Sequence, residues 1–113
     1  MLKSVKKVIQ ILTTLFKEHQ YEFRVTLTAI NPRALILISN ISYPRNEESV
    51  NKATEFSRLC SLELNRNGFY PYRSGSGMFD ELPVHSESYR SVLKNLKSLF
   101  DPGTIIAPGK YNI

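Results

Sequence analysis

Residues able to do chemistry are densest between Gly68 and Asp80, in the run Gly68-Phe69-Tyr70-Pro71-Tyr72-Arg73-Ser74-Gly75-Ser76-Gly77-Met78-Phe79-Asp80. Arg is permanently cationic and presents a planar fork of donors, and Tyr offers one hydroxyl. On a strand, adjacent side chains face opposite ways, whereas at a bend both can converge on one cavity. There Tyr72 and Arg73 could hold a small anion such as a carboxylate or a phenolate. A positive charge within ~4–6 Å of an acid lowers its pKa by roughly 1–3 units, so a phenol bound there would be favoured as its phenolate at neutral pH. A surface loop with an exposed Arg and a packed Tyr has the same composition, and composition alone favours that loop.

Other chemistries find less support. His19 and His85 stand far apart, and with the single Cys60 they give no zinc-ligand spacing. Ser74-Gly75-Ser76-Gly77 does not match a phosphate-cradling loop, and no Lys-Ser/Thr follows it. No Ser-His-Asp set or carboxylate pair can be assigned. Taken from the residues alone, catalysis is unsupported.

The elements that must position Tyr72 and Arg73 are plainer. Val5, Val8, Ile9, Leu12, Leu15 and Phe16 recur at three- and four-residue steps, which predicts a helix from about Ser4 to Glu18. Phe23, Val25, Leu27 and Ala29 alternate with Glu22, Arg24, Thr26 and Thr28 as in a half-buried strand. Asn31-Pro32-Arg33 turns the chain into a second strand, Ala34 to Tyr43, antiparallel to the first. That strand is apolar on both faces through Ile38, so part of it should be covered on both sides. Asn46, followed by Glu47 and Glu48, caps a helix whose buried face is Val50, Ala53, Phe56, Leu59, Cys60 and Leu64, and Asn67-Gly68 ends it. Phe69 to Leu82 reads as a short strand leading into a loop. Ser86 caps a third helix on Tyr89, Val92, Leu93, Leu96 and Phe100, and Asp101-Pro102-Gly103 stops it before an extended tail. The expected fold is α+β, a small antiparallel sheet with helices packed on one face, in the order α-β-β-α-(β)-α-tail.

Composition narrows the partners. At 113 residues the chain suits one domain, and 42% hydrophobic content is enough for a core. The net charge of +5 is spread along the chain with no run of five like charges, and the aromatics fall on apolar stripes or in one loop. Nucleic-acid binding gathers basic residues on one face with aromatics among them, so no nucleic-acid partner is expected. No apolar run approaches the ~20 residues that cross a bilayer, so no membrane partner is expected either. Lys3, Lys6, Lys7 and Lys17 with no early acid resemble a targeting peptide, but the complete apolar spacing favours a core-facing helix. One cysteine excludes an internal disulfide and fits a reducing compartment, so the expected localisation is cytoplasmic.

Two segments carry a resemblance. One is Tyr70-Pro71-Tyr72-Arg73 followed by Met78-Phe79-Asp80; the other is Val92-Leu93-Lys94 leading into Phe100-Asp101-Pro102-Gly103-Thr104-Ile105-Ile106-Ala107-Pro108-Gly109-Lys110. With these the chain resembles the C-terminal region of the vanillyl-alcohol oxidase and p-cresol methylhydroxylase family of FAD-linked oxidases. The Asp-Pro…Ala-Pro-Gly-Lys ending is widespread among flavin oxidases, and the Tyr-Arg pair before Met-Phe-Asp is narrower, pointing to the phenol-oxidising branch. The resemblance implies a division into a cap-like part, residues 1–73, and a segment returning to the flavin domain, residues 74–113. It implies that Tyr72 donates a hydrogen bond to the phenolic substrate's oxygen and that Arg73 supplies the charge stabilising the phenolate. It implies that Lys110 lies near the flavin ring and stabilises its anionic reduced form.

The family's FAD-binding domain, with its pyrophosphate-binding loop, has no counterpart in these residues. The resemblance therefore implies that FAD belongs to the full enzyme or to a partner chain, and that this chain neither holds FAD tightly nor turns over a phenol alone. A fragment, a split subunit and a degenerate remnant remain open, in that order. The alternative function is a non-catalytic α+β interaction module that self-associates. A homo-oligomer is expected in either case, because the second strand and Ile105, Ile106 and Ile113 need cover.

Overall fold

The pattern of apolar residues at three- and four-residue steps dictates the first helix, and in the computed structural model it forms as α1, Leu2–Glu18, burying Leu12 and Phe16. The structure describes residues 2–73 and 86–110. After α1 come β1, Arg24–Asn31; β2, Ala34–Asn40; α2, Glu47–Arg66; and α3, Glu87–Phe100. The fold is α+β, as expected. The chain divides into two compact units, residues 1–72 and 73–113.

In the first unit, β1 and β2 pair antiparallel, from Arg24 opposite Asn40 to Asn31 opposite Ala34, with an irregularity between Ala29 and Asn31. Asn31 Oδ1 accepts the Arg33 amide at 2.8 Å, closing the turn that Pro32 pre-sets. Opposite residues of an antiparallel pair share a face, so Leu27 and Ala29 stand with Leu37 and Leu35, and Thr26 and Thr28 with Ile38 and Ile36. The core joins Leu12, Phe16, Phe56 and Cys60, with Phe23, Leu37, Ile41 and Leu64 packed against it. Its centre is aromatic. The Phe16 ring meets Phe56 edge-on at 5.0 Å and Phe23 at 5.2 Å, and Tyr21 stacks on Phe56 at 4.7 Å. Burial among these groups pushes the Cys60 thiol up to about 11.

Four expectations need correction, and the first lies on α2, where Val50 and Leu59 stand exposed instead of on the buried face. The first strand was expected to be half-buried, yet β1 is exposed along its whole length. The physical reason is that the core draws on Phe23, just before β1, and on Leu37 of β2, so β1 lies beyond its reach. β2 stops at Asn40 instead of Tyr43, because Arg24, the first residue of β1, has no neighbour left to pair beyond it. Within β2 the four residues Ala34–Leu37 are half-buried, while Ile38 is exposed. Phe69–Arg73 forms no strand: the chain leaves α2 through a cap and then bends. Residues 74–82, the rest of that expected strand and loop, lie outside the described residues.

The caps follow local chemistry. Asn46 Oδ1 accepts the Ser49 amide at 2.8 Å at the start of α2, with Glu47 and Glu48 in the first turn. The helix ends in a Schellman motif: Phe69 N–H donates to Leu64 O, Gly68 N–H donates to Asn65 O, and Gly68 takes φ +82°. The same pattern closes α1, where Tyr21 N–H reaches Phe16 O and Gln20 N–H reaches Lys17 O. There the left-handed residue is Gln20, at φ +60°.

Candidate functional site

Tyr72 and Arg73 follow the α2 cap in a bend, where adjacent side chains are no longer forced to opposite sides. Both are exposed, Tyr72 by 63%. Tyr72 closes the first unit and Arg73 opens the second. Met78-Phe79-Asp80, the triplet that narrows the resemblance, lies outside the described residues, as does His85. His19 sits at the end of α1, where its Nδ1 donates to Leu15 O at 3.0 Å and its ring lies 4.8 Å from that of Phe56.

Lys110 stands on a turn built by the tail of the second unit. Its amide donates to Ala107 O at 3.2 Å, and Gly109 adopts φ +71°. A Cβ at Gly109 would meet nothing within 4 Å, so the turn faces open space. Ala107 at φ +47° and Thr104 at φ +50° are left-handed without being glycine. Each such residue costs about 1–2 kcal/mol, so the segment needs an anchor.

Asp101 is that anchor. It follows α3, and its amide closes the helix on Lys97 O at 2.8 Å. Its buried carboxylate accepts the Ile105 amide on Oδ1 at 2.9 Å and the Ile106 amide on Oδ2 at 3.0 Å. Lys97 Nζ lies 2.6 Å from Oδ2 and also donates to the Ile106 carbonyl. The Lys97 ammonium and the two amides hold the Asp101 carboxyl below the usual carboxylate value. The sequence showed Asp101-Pro102-Gly103 as a helix stop and did not show this anchor. The available signal was Lys97 four residues before Asp101, a spacing that brings two side chains of a helix end together.

A separate groove of about 580 Å³ opens on the first unit between the end of α1 and α2. Tyr21, Phe56 and Leu59 wall it, and Glu48 pairs with Lys52 at 2.6 Å on its rim. It includes neither Tyr72 nor Arg73.

The fit to a flavin is partial. Lys110 offers a cation on an open turn, which suits the edge of a large planar anion. The sequence contains no glycine-rich loop of the kind that cradles a dinucleotide pyrophosphate. An exposed cation on a turn does not by itself select a flavin.

Comparison with known proteins identifies a partial relative. It is a decarboxylase. Over 57 residues, half of this chain, 39% are identical to 1'-carboxy-chondrochloren decarboxylase from Chondromyces crocatus. The chain spans about a tenth of the length of that relative. No family model matches the chain, and no solved structure matches it. Among the described residues, no helix is long and apolar enough to cross a membrane.

Proposed function

We propose that this chain is the C-terminal portion of a flavin-dependent oxidoreductase acting on para-substituted phenols, of the 4-cresol or vanillyl-alcohol type, and that it is not catalytic alone. The observation that carries the proposal is the anchored tail, in which Asp101 fixes the segment ending in an exposed Lys110. Half of the chain matching a tenth of a decarboxylase supports a piece of a longer enzyme. A decarboxylase takes a carboxylate, and the guanidinium fork of Arg73 matches a carboxylate while its charge also suits a phenolate.

In this proposal Tyr72 donates a hydrogen bond to the substrate's phenolic oxygen. Arg73 sets a positive charge beside it, so the phenol proton leaves to solvent and the phenolate remains. Electron density from that oxygen would help hydride leave the benzylic carbon. FAD, carried by another domain or a partner chain, supplies the hydride acceptor when bound. Lys110 places a fixed cation where negative charge develops. The second function, a self-associating module without catalysis, is favoured by the apolar surface of α3, of which no residue is buried.

The test is made on the native polypeptide that carries this sequence, captured with an antibody raised against it. A polypeptide several hundred residues long, yellow with flavin and bleached anaerobically by 4-cresol, is the expected result. Arg73→Ala in that polypeptide should slow bleaching about 10²–10³-fold, the usual cost of removing one group that stabilises a developing oxyanion. A colourless polypeptide would sink the proposal, and undiminished bleaching by the variant would remove Arg73 from it.

A further inference from the structure

We propose that Asp101, steadied by Lys97, is the positioning residue for Lys110. The proposal deepens the flavoenzyme reading and rests on it for the value of placing Lys110; the placement itself stands on the geometry of the second unit.

The Ile106 residue is gripped on both its polar groups. Its N–H is held by Asp101 Oδ2 at 3.0 Å, and its carbonyl by Lys97 Nζ. The preceding N–H, of Ile105, is held by the other carboxylate oxygen at 2.9 Å. Lys97 and Asp101 are themselves fixed, one in the last turn of α3 and the other closing it. Two left-handed residues, Thr104 and Ala107, bracket the gripped pair, so the chain reverses sharply on either side of it. Thr104 N–H returns to Asp101 O at 3.0 Å, which fixes the first reversal. Beyond the second, Pro108 has its φ set by its ring, and the Lys110 amide returns to Ala107 O. Few free torsions therefore separate the end of α3 from Lys110. A salt bridge on a helix end would normally do little. This one has both carboxylate oxygens committed to backbone amides of a segment that makes no regular structure of its own.

The experiment uses the full chain labelled with ¹⁵N. In Asp101→Asn, which keeps size and loses charge, exchange of the Ile105 and Ile106 amides with solvent should rise about tenfold or more, the scale of one charged hydrogen bond. The Lys110 amide resonance should shift and its relaxation should report faster motion, while the α2 amides stay in place. Lys97→Met should reproduce the change, and Lys97→Arg, which keeps a cation able to bridge the same two acceptors, should restore the Lys110 resonance. If Asp101→Asn unfolds the second unit, Lys97→Met and Lys97→Arg decide alone. A Lys110 resonance and relaxation that ignore these substitutions would overturn the proposal, even with Ile105 and Ile106 deprotected.

A second readout separates the proposal from the function it serves. In the flavin-bearing polypeptide, Asp101→Asn should lower the flavin reduction potential in the direction that Lys110→Met lowers it. If Lys110→Met leaves the potential unchanged while the resonances respond as expected, positioning stands and the flavin-facing role of Lys110 fails. If Lys110→Met lowers the potential and Asp101→Asn does not, the positioning role fails.

Discussion

At the scale of single residues, Asp101 concentrates more interaction than any neighbour described with it. Its carboxyl is held below the usual Asp value of 3.8 by Lys97 and the two tail amides. A carboxyl with a lowered folded pKa contributes stability that is complete above the unfolded value. That contribution declines as pH falls below 3.8 and is gone only beneath Asp101's own, lower value. The Ile105 and Ile106 amide resonances should therefore titrate together, with a midpoint below 3.8, and the second unit should lose structure over the same acid range. A common midpoint at or above 3.8 would show that the carboxylate is not held in this way. Tyr72 and Arg73 were legible as candidates because their chemistry is written in their types. Asp101 was not, because an Asp after a helix followed by Pro-Gly looks like punctuation. Only the return of Ile105 and Ile106 onto its oxygens reveals a binding role, and that return depends on torsions at Thr104 and Ala107 that no side chain announces.

At the scale of elements, the helices were legible and the strands were less so. Caps at Asn46 and Ser86 and the glycine stop at Gly68 are local, so sequence specifies them directly. Strand burial is tertiary. The alternation in β1 is real and Leu27 shares a face with Leu37, yet that face meets the core only on the β2 side, at Leu37, and the core's next contact is Phe23, before β1 begins. The α1 end offers a direct test. Gln20 holds a left-handed position that glycine takes without steric cost. Gln20→Gly should raise stability by about 0.5–1 kcal/mol, the left-handed penalty less the entropy glycine adds to the unfolded chain. Urea unfolding followed by far-ultraviolet dichroism measures it, and a lowered midpoint would mean that the Gln20 side chain contributes more than its backbone costs.

At the scale of the whole molecule, large apolar side chains stand exposed on the second unit. On α3, Val92, Leu99 and Phe100 are exposed by 56%, 72% and 76%, and in the tail Ile105 and Ile106 by 81% and 66%. At roughly 25 cal/mol per Å², surface of this kind favours association over solution. The isolated chain should elute from a sizing column larger than its 13.0 kDa, and increasingly so at higher concentration. Leu99→Asp together with Ile105→Asp should return it toward monomer. A chain that stays monomeric at high concentration without these changes would show that the apolar surface does not drive self-association. The sequence marked Ile105 and Ile106 as apolar residues in need of cover, and within this chain both are exposed. It did not foretell the exposure of α3, since a proper helical stripe looks the same whether or not anything lies against it.

The hairpin has one more consequence. Among the described residues the sheet consists of β1 and β2 alone, so each strand leaves one side of its backbone without a ladder. β1 carries Val25, Leu27 and Ile30 in the open beside Thr26 and Thr28, with a single charge, Arg24, at its start. β-branched residues, low charge and an absence of proline are the signature of segments that stack into fibrils. The overproduced chain should therefore form thioflavin-positive fibrils from its first unit, and Thr26→Lys or Thr28→Lys should suppress them.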